Sequence, residues 1–129
     1  MIVYREGHAL DYEALAELFE SVGWADRAAD RVRFVGMVRA SPWVVSAWEG
    51  DRLVGFCRAI TDGYTTAYVT DVLVCADYRR QGIATALMER LMRGREAIRF
   101  VLRAEPEVQP LYLRLGFEPA PTMLRRKPR

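Results

Sequence analysis

Asp71-Val-Leu-Val-Cys-Ala-Asp-Tyr-Arg79-Arg80-Gln81-Gly82-Ile83-Ala84-Thr85 is the stretch that decides the fold of this 129-residue chain. A run of β-forming residues, Thr66 to Cys75, enters a short polar loop. Beyond the loop, Ile83 to about Arg93 reads as a helix, because Ile83, Ala86, Leu87 and Leu91 form one apolar stripe. Gly94 ends that helix, and Ala97–Leu102 reads as the next strand. A strand, a helix and a second strand in immediate succession predict a parallel, right-handed crossover over residues 68–102.

Upstream, Trp43–Trp48 and Arg52–Ile60 are two further strands. Glu49-Gly-Asp51 and Thr61-Asp-Gly63 are the turns that join these strands and Thr66–Cys75 into an antiparallel meander. Two helices precede the meander. The first spans Ala9–Ser21, with Leu10, Ala14, Leu15, Leu18 and Phe19 at helical spacing and Asp11 as a candidate cap. The second runs from about Asp26 to Ala40, with Ala29, Val32, Val35, Gly36 and Arg39 in its pattern, until Ser41-Pro42 breaks it. Met1–Arg5 reads as an edge strand and lacks the apolar core of a signal peptide. Downstream, Glu107–Leu115 is helical and stopped by Gly116, and Phe117–Lys127 is mostly extended. The expected order is β-αα-βββ-α-β-α-β, a single α/β (α+β) domain over residues 1–129 with a mixed, mostly antiparallel sheet flanked by helices.

Composition limits what such a domain does. The 19 basic and 17 acidic residues leave a net charge of +2, too weak a field to argue for nucleic acid, and no strand carries the aromatic-basic pattern of an RNA platform. No apolar run approaches the ~18 residues of a membrane span. Nucleic acid and membrane are therefore not expected partners. All the basic residues but Lys127 are arginine, a composition that suits planar oxyanions and that genome bias also produces. Cys57 and Cys75 lie in apolar stretches and read as buried free thiols of a cytoplasmic protein. His8 is the only histidine, and no metal-ligand spacing exists, so no metal is expected.

The loop at 79–82 carries the chemistry. The first turn of a helix offers backbone N–H groups without intrahelical partners, at the positive end of the helix dipole. Gly82 presents no side chain to an approaching ligand, Ala84 presents the next smallest, and Arg79 and Arg80 add positive charge. That suits a diphosphate. The chain has neither a Walker G-x-x-x-x-G-K-[ST] nor a dinucleotide G-x-G-x-x-G. A solvated loop ahead of an ordinary helix is the bland alternative.

Residues 72–91 resemble the acyl-CoA signature of the GNAT superfamily of N-acetyltransferases. Its R/Q-x-x-G-x-G/A pattern is matched by Arg79-Arg-Gln-Gly82-Ile-Ala84, with Ala at the final position where many members have Gly. Leu111-Tyr112-Leu-Arg-Leu-Gly116-Phe117 resembles the family's F/L-Y-x-x-x-G-F, and the element order resembles the family's over essentially the whole chain.

The resemblance implies an acetyltransferase that moves an acetyl group from acetyl-CoA to a primary amine of a small molecule or peptide by direct attack. It also implies that the backbone of Val72, Leu73 and Val74 holds the pantetheine arm, and that the N–H groups of about Arg80, Gln81, Gly82, Ile83, Ala84 and Thr85, with Arg79 beside them, hold the pyrophosphate. An N–H near Leu73 or Val74 would donate to the oxyanion. Tyr112 occupies the family's general-acid position, and a packed aromatic that only touches the cofactor is its alternative. Asp71 is the nearest carboxylate for a base, with a turn or salt-bridge role facing an arginine on a neighbouring strand as its alternative; water is an acceptable base as well. Glu105 stands where some members have an Asn that meets the cofactor. Trp24, Phe34, Trp43, Trp48 and Tyr64 are aromatic candidates for the acceptor side, core packing being the competing role. Arg27, Arg31 and Arg39 either attract an acidic acceptor or form a solvated face. The basic tail 125–129 has no assigned partner. The family's habit allows a homodimer. A non-catalytic CoA-binding sensor or interaction domain is the reading from a different class.

Overall fold

The computed structural model describes residues 1–128. Five strands form one sheet in the order β1-β2-β3-β4-β5: β1 (Ile2–Glu6), β2 (Trp43–Glu49), β3 (Arg52–Thr61), β4 (Thr66–Val74) and β5 (Arg99–Leu102). The first four pair antiparallel, and β5 pairs parallel to β4, as the crossover reading requires. Helices α1 (Tyr12–Ser21), α2 (Ala25–Ala28) and α3 (Arg31–Arg39) cover one face. Helices α4 (Ile83–Met92) and α5 (Gln109–Arg114) lie on the other.

The sheet is buried on both sides, so its strands divide their side chains between two cores. Val44, Trp48, Phe56 and Leu73 meet Leu15, Phe19, Phe34 and Val38 of the first helical layer. The rings of Phe19 and Phe34 pack edge to face at 5.0 Å, a favoured aromatic geometry. Val45, Ala47, Cys57, Ala59 and Val69 meet Ile83, Leu87, Met88 and Leu91 of α4. Two bulges adjust this alternation. Val54 is the extra residue opposite Ala47/Trp48, and Thr70 is the extra residue opposite Arg58/Ala59.

The expected second helix is two helices. Asp30 interrupts it, because its carboxylate accepts from the Arg33 amide and caps α3 afresh. The apolar stripe shifts with the break: Ala28, Phe34 and Val38 are buried, while Val32 is 87% exposed. Helix α1 starts three residues later than expected, at Tyr12, because Asp11 is its cap and accepts from the Glu13 and Ala14 amides. Beyond Gly116 the chain forms no strand among the described residues, where an extended final segment was expected; Pro119 and Pro121 each lack the N–H a ladder needs. Arg129, the end of the basic tail, lies outside the described residues. Both cysteines are free, and only Cys57 is buried; Cys75 is partly exposed.

Helix α4 rests against β3 at Gly55. A Cβ there would stand 3.0 Å from Ile83 Cγ2 and 3.2 Å from both Ala47 Cβ and Leu87 Cδ1. Gly55→Ala is expected to lower stability by about 1–3 kcal/mol, through overpacking that the rigid Ala47 methyl does not relieve; urea unfolding measures it. Burial pushes the Cys57 thiol up to about 12, so almost no thiolate forms near neutral pH. In a thiol titration of the native protein at pH 8, Cys75 is expected to react and Cys57 only after denaturant is added.

Candidate functional site

Strand β4 has β3 as a neighbour along its length but β5 along only its first half. The β4–β5 ladder runs from Thr66↔Arg99 to Val69↔Leu102 and stops. The β3–β4 ladder continues through Arg58↔Asp71 to Gly55↔Val74. The parting point coincides with the bulge at Thr70, and a bulge bends and twists its strand. The β5-side edge of β4 from Thr70 to Val74 is therefore left without a strand partner among the described residues. Backbone groups there remain available for hydrogen bonds.

A cleft of about 670 Å³ opens at this edge. Val72, Leu73 and Val74 form one wall, the 78–85 loop and α4 start another, and Tyr112 with its helix α5 a third. Val22 and Trp24, from the corner between α1 and α2, close the fourth side. The expected residues Arg79, Arg80, Gly82, Ile83, Ala84 and Thr85 all line the cleft, and Gln81 does not.

The loop is built to leave the helix end bare. Asp11 and Asp30 cap α1 and α3 with their side chains, yet α4 has Gly82 at its cap and no side-chain cap. Gly82 takes φ +77°, a left-handed conformation that other residues adopt at a cost, and Arg80 takes φ +64°. Through the Gly82 carbonyl, which accepts from the Ala86 amide at 3.0 Å, the chain enters the helix. The amides of Ile83, Ala84 and Thr85 lack intrahelical partners, and all three residues line the cleft. Arg79 and Arg80 form no salt bridge among the described residues. Tyr78 moors the loop: its hydroxyl donates to Glu49 at 2.7 Å, and the Arg52 guanidinium lies 5.0 Å from its ring centre.

Tyr112 is half-buried, its ring 5.8 Å from that of Phe117 in an edge-to-face pair. Burial, and then the nearby Cys57 thiol, push its phenol above the ordinary value of 10.0. The phenol therefore keeps its proton throughout the neutral range.

Asp71 is 1% exposed and does not line the cleft. Its Oδ2 accepts from Arg58 Nε at 2.5 Å and from the Thr70 hydroxyl at 3.1 Å. Its Oδ1 accepts from an Arg27 Nη at 2.5 Å. Of its two expected roles, the geometry matches the salt bridge. Arg58, itself buried, also donates to Ser41 Oγ at 3.1 Å.

Of the five aromatic candidates, Trp24 alone lines the cleft. Phe34 and Trp48 are core, Trp43 packs beside Phe100 on the α4 face, and Tyr64 is 84% exposed in a hairpin turn. Glu105 does not reach the cleft, whereas Glu107, Pro110 and Arg114 do. Those three were missed because they are ordinary surface residue types, Glu107 in the turn before α5 and the other two on that short helix. Arg58 is the neighbouring-strand arginine that the salt-bridge reading of Asp71 required without naming it; an arginine inside an apolar strand run, opposite that aspartate, was the signal for it.

Residues 32–119 match the family model described as an acetyltransferase (GNAT) domain. The chain is 35% identical over 128 residues to serotonin N-acetyltransferase 2, chloroplastic, of Oryza sativa subsp. japonica, which covers 95% of this chain and 64% of that protein. The chain thus spans a little under two thirds of that relative's length. A GNAT-family acetyltransferase from Streptococcus pneumoniae TIGR4 superposes with a TM-score of 0.74 at 25% identity, over 92% of this chain and 88% of that one. The aminoglycoside N-acetyltransferase AAC(6')-Iy, in a complex with CoA, is alike in fold: TM-score 0.76, 16% identity, 100% and 95% coverage.

Removing the carboxylate of Asp71 leaves the buried Arg58 uncompensated. Asp71→Ala is expected to cost roughly 3–5 kcal/mol in urea unfolding, and a loss below about 1 kcal/mol, the size of an exposed ion pair, would refute the structural role.

Proposed function

The chain belongs to the GNAT acetyltransferase family, and from that premise we propose that it transfers an acetyl group from acetyl-CoA to a primary amine of a small molecule or peptide. One observation carries this reading: the β4 edge without a strand partner and the uncapped start of α4 open into the same cleft, with Tyr112 between them. Acetyl-CoA supplies a thioester carbonyl open to attack by a neutral amine.

The residues present fit that cosubstrate. Val72, Leu73 and Val74 offer backbone donors and acceptors to an extended pantetheine arm, which would lie beside β4 as an added strand. The amides of about Arg80 to Thr85, Gln81 contributing only its backbone, receive the pyrophosphate, and Arg79 and Arg80 add charge. A backbone N–H of Leu73 or Val74 stabilises the oxyanion that develops on the carbonyl. Tyr112 delivers a proton to the departing sulfur. Burial keeps the phenol protonated at neutral pH, so the proton is present when the C–S bond breaks.

Asp71 is proposed as a positioning residue, because both its oxygens are engaged. Water is the proposed base. Holding both reactants in one cleft supplies much of the rate. One similar protein is named for serotonin and another for aminoglycosides, so the acceptor does not follow from kinship.

Two measurements test the proposal. Acetyl-CoA and CoA, each at 100 times its Kd, should raise stability by about 2.7 kcal/mol and shift the melting curve by several degrees, with no such shift for ATP; absence of a shift with either CoA species overturns it. Tyr112→Phe should lower kcat about a hundredfold with little change in acetyl-CoA affinity. The acid is active while protonated, so with a pKa above 10 wild-type kcat should hold its alkaline plateau through pH 9. Unchanged turnover in Tyr112→Phe removes the acid role.

A further inference from the structure

Three walls of the cleft are occupied in the proposed reaction: the β4 edge by the pantetheine arm, the start of α4 by the pyrophosphate, and Tyr112 by the departing sulfur. The fourth wall, Val22 and Trp24, holds none of these and is the one left to face an acceptor. The backbone of Trp24 is engaged inside its corner. Its N–H donates to the Phe19 carbonyl at 2.9 Å, and its carbonyl accepts from the Arg27 amide at 3.1 Å. What Trp24 offers the wall is therefore its partly exposed indole.

That indole is held in place before any ligand arrives. The Phe19 ring packs against it at 6.0 Å, and the Arg27 guanidinium lies over it, 4.4 Å from the ring centre. Arg27 is anchored in turn, because one Nη donates at 2.5 Å to the buried Asp71. A surface fixed in advance loses little freedom when a ligand packs on it.

Two properties of this wall decide what packs there. It is apolar: Val22 and the indole supply no side-chain acceptor, the indole N–H being a donor only. It is also backed by positive charge. Arg27 and Arg58 share the single carboxylate of Asp71, so one charge stands uncompensated behind the indole. A ring that already holds one cation sets a second cation against like charge. The carboxylate among the described lining residues is Glu107, and it stands on the α5 side with Arg114.

We infer that the acceptor meets this wall with an uncharged, apolar body and carries its amine at the other end, and that Trp24 is the specificity residue that selects it over a polyamine. This rests on the amine-acetylation reading and narrows it. The hydrocarbon part covers the indole while the nitrogen faces the thioester. A second ammonium at the far end would be stripped of water against an apolar surface and given no anion in return.

Hexylamine and 1,5-diaminopentane test the inference, since they match in length and differ at the far end, a methyl in one and an ammonium in the other. Each is titrated calorimetrically into the CoA-loaded protein and assayed for thiol release from acetyl-CoA. Hexylamine should bind at least about tenfold more tightly, the scale of burying an apolar end in place of a charged one, and its kcat/KM should be higher by a similar factor. Trp24→Ala should remove most of that preference, and Trp24→Phe, which keeps an aromatic face, should retain it. Val22→Glu puts a carboxylate on the same wall and should turn the preference toward the diamine; it carries the test if Trp24→Ala does not fold. Equal or tighter binding of the diamine, no binding by either amine, or a preference unchanged in Trp24→Ala, or in Val22→Glu where that variant stands in for it, overturns the inference. Thiol release from both amines without discrimination leaves acetyl transfer standing and removes the Trp24 role. A Trp24-dependent binding preference without thiol release does the reverse.

Discussion

A buried carboxylate has to be paired, and Asp71 is paired just beyond the point where β4 parts from β5. Arg58 reaches it from the adjacent strand at the facing register position, one residue from the bulged Thr70. The bulge turns β4 away from β5, and the ion pair holds that bend inside the sheet. Without the bend, β5 could follow β4 to its end, and no strand edge would remain free in the cleft. The same carboxylate reaches the other way to Arg27, which ties the α1–α2 corner over the sheet. One side chain thus joins the geometry of the proposed cosubstrate site to that of the acceptor wall.

The order of elements and the parallel crossover were legible because each rests on local pattern: alternation in the meander, a helical stripe in α4, glycines at the turns. The break between α2 and α3 was legible only through Asp30, a cap residue standing inside a helix-like pattern. The absence of a final strand was written in Pro119 and Pro121, each of which removes a ladder donor. Extended sequence and paired strand look alike until the partner is known, so this difference needed the fold.

At the site, most of the residues read from the sequence were those whose proposed role lies in the backbone, with Tyr112, Arg79 and Arg80 read from their place in the motifs. Gly82 and its neighbours expose amides, and a motif of small residues records that requirement directly. The acceptor wall was less legible. Trp24 is one aromatic among several, and Arg27 is one arginine in a chain whose basic residues are nearly all arginine. What separates them from the rest is tertiary: a ring at the cleft wall, a guanidinium stacked on it, and an aspartate on β4, remote in sequence, that anchors the pair. Hydrophobic periodicity has no means of recording such a contact.

The four-residue helix α2 bears on how this chain can change over evolutionary time. Arg27 ties it to the sheet through Asp71 and Ala28 packs into the first core, while the edge of β4 and the start of α4 are held by ladders and by the second core. Replacements at the exposed Ala25 and Asp26 of α2 therefore leave the walls at β4 and α4 on their own supports. A fold divided in this way lets its helical corner change through a few surface positions while the β4 edge and the start of α4 are inherited unchanged.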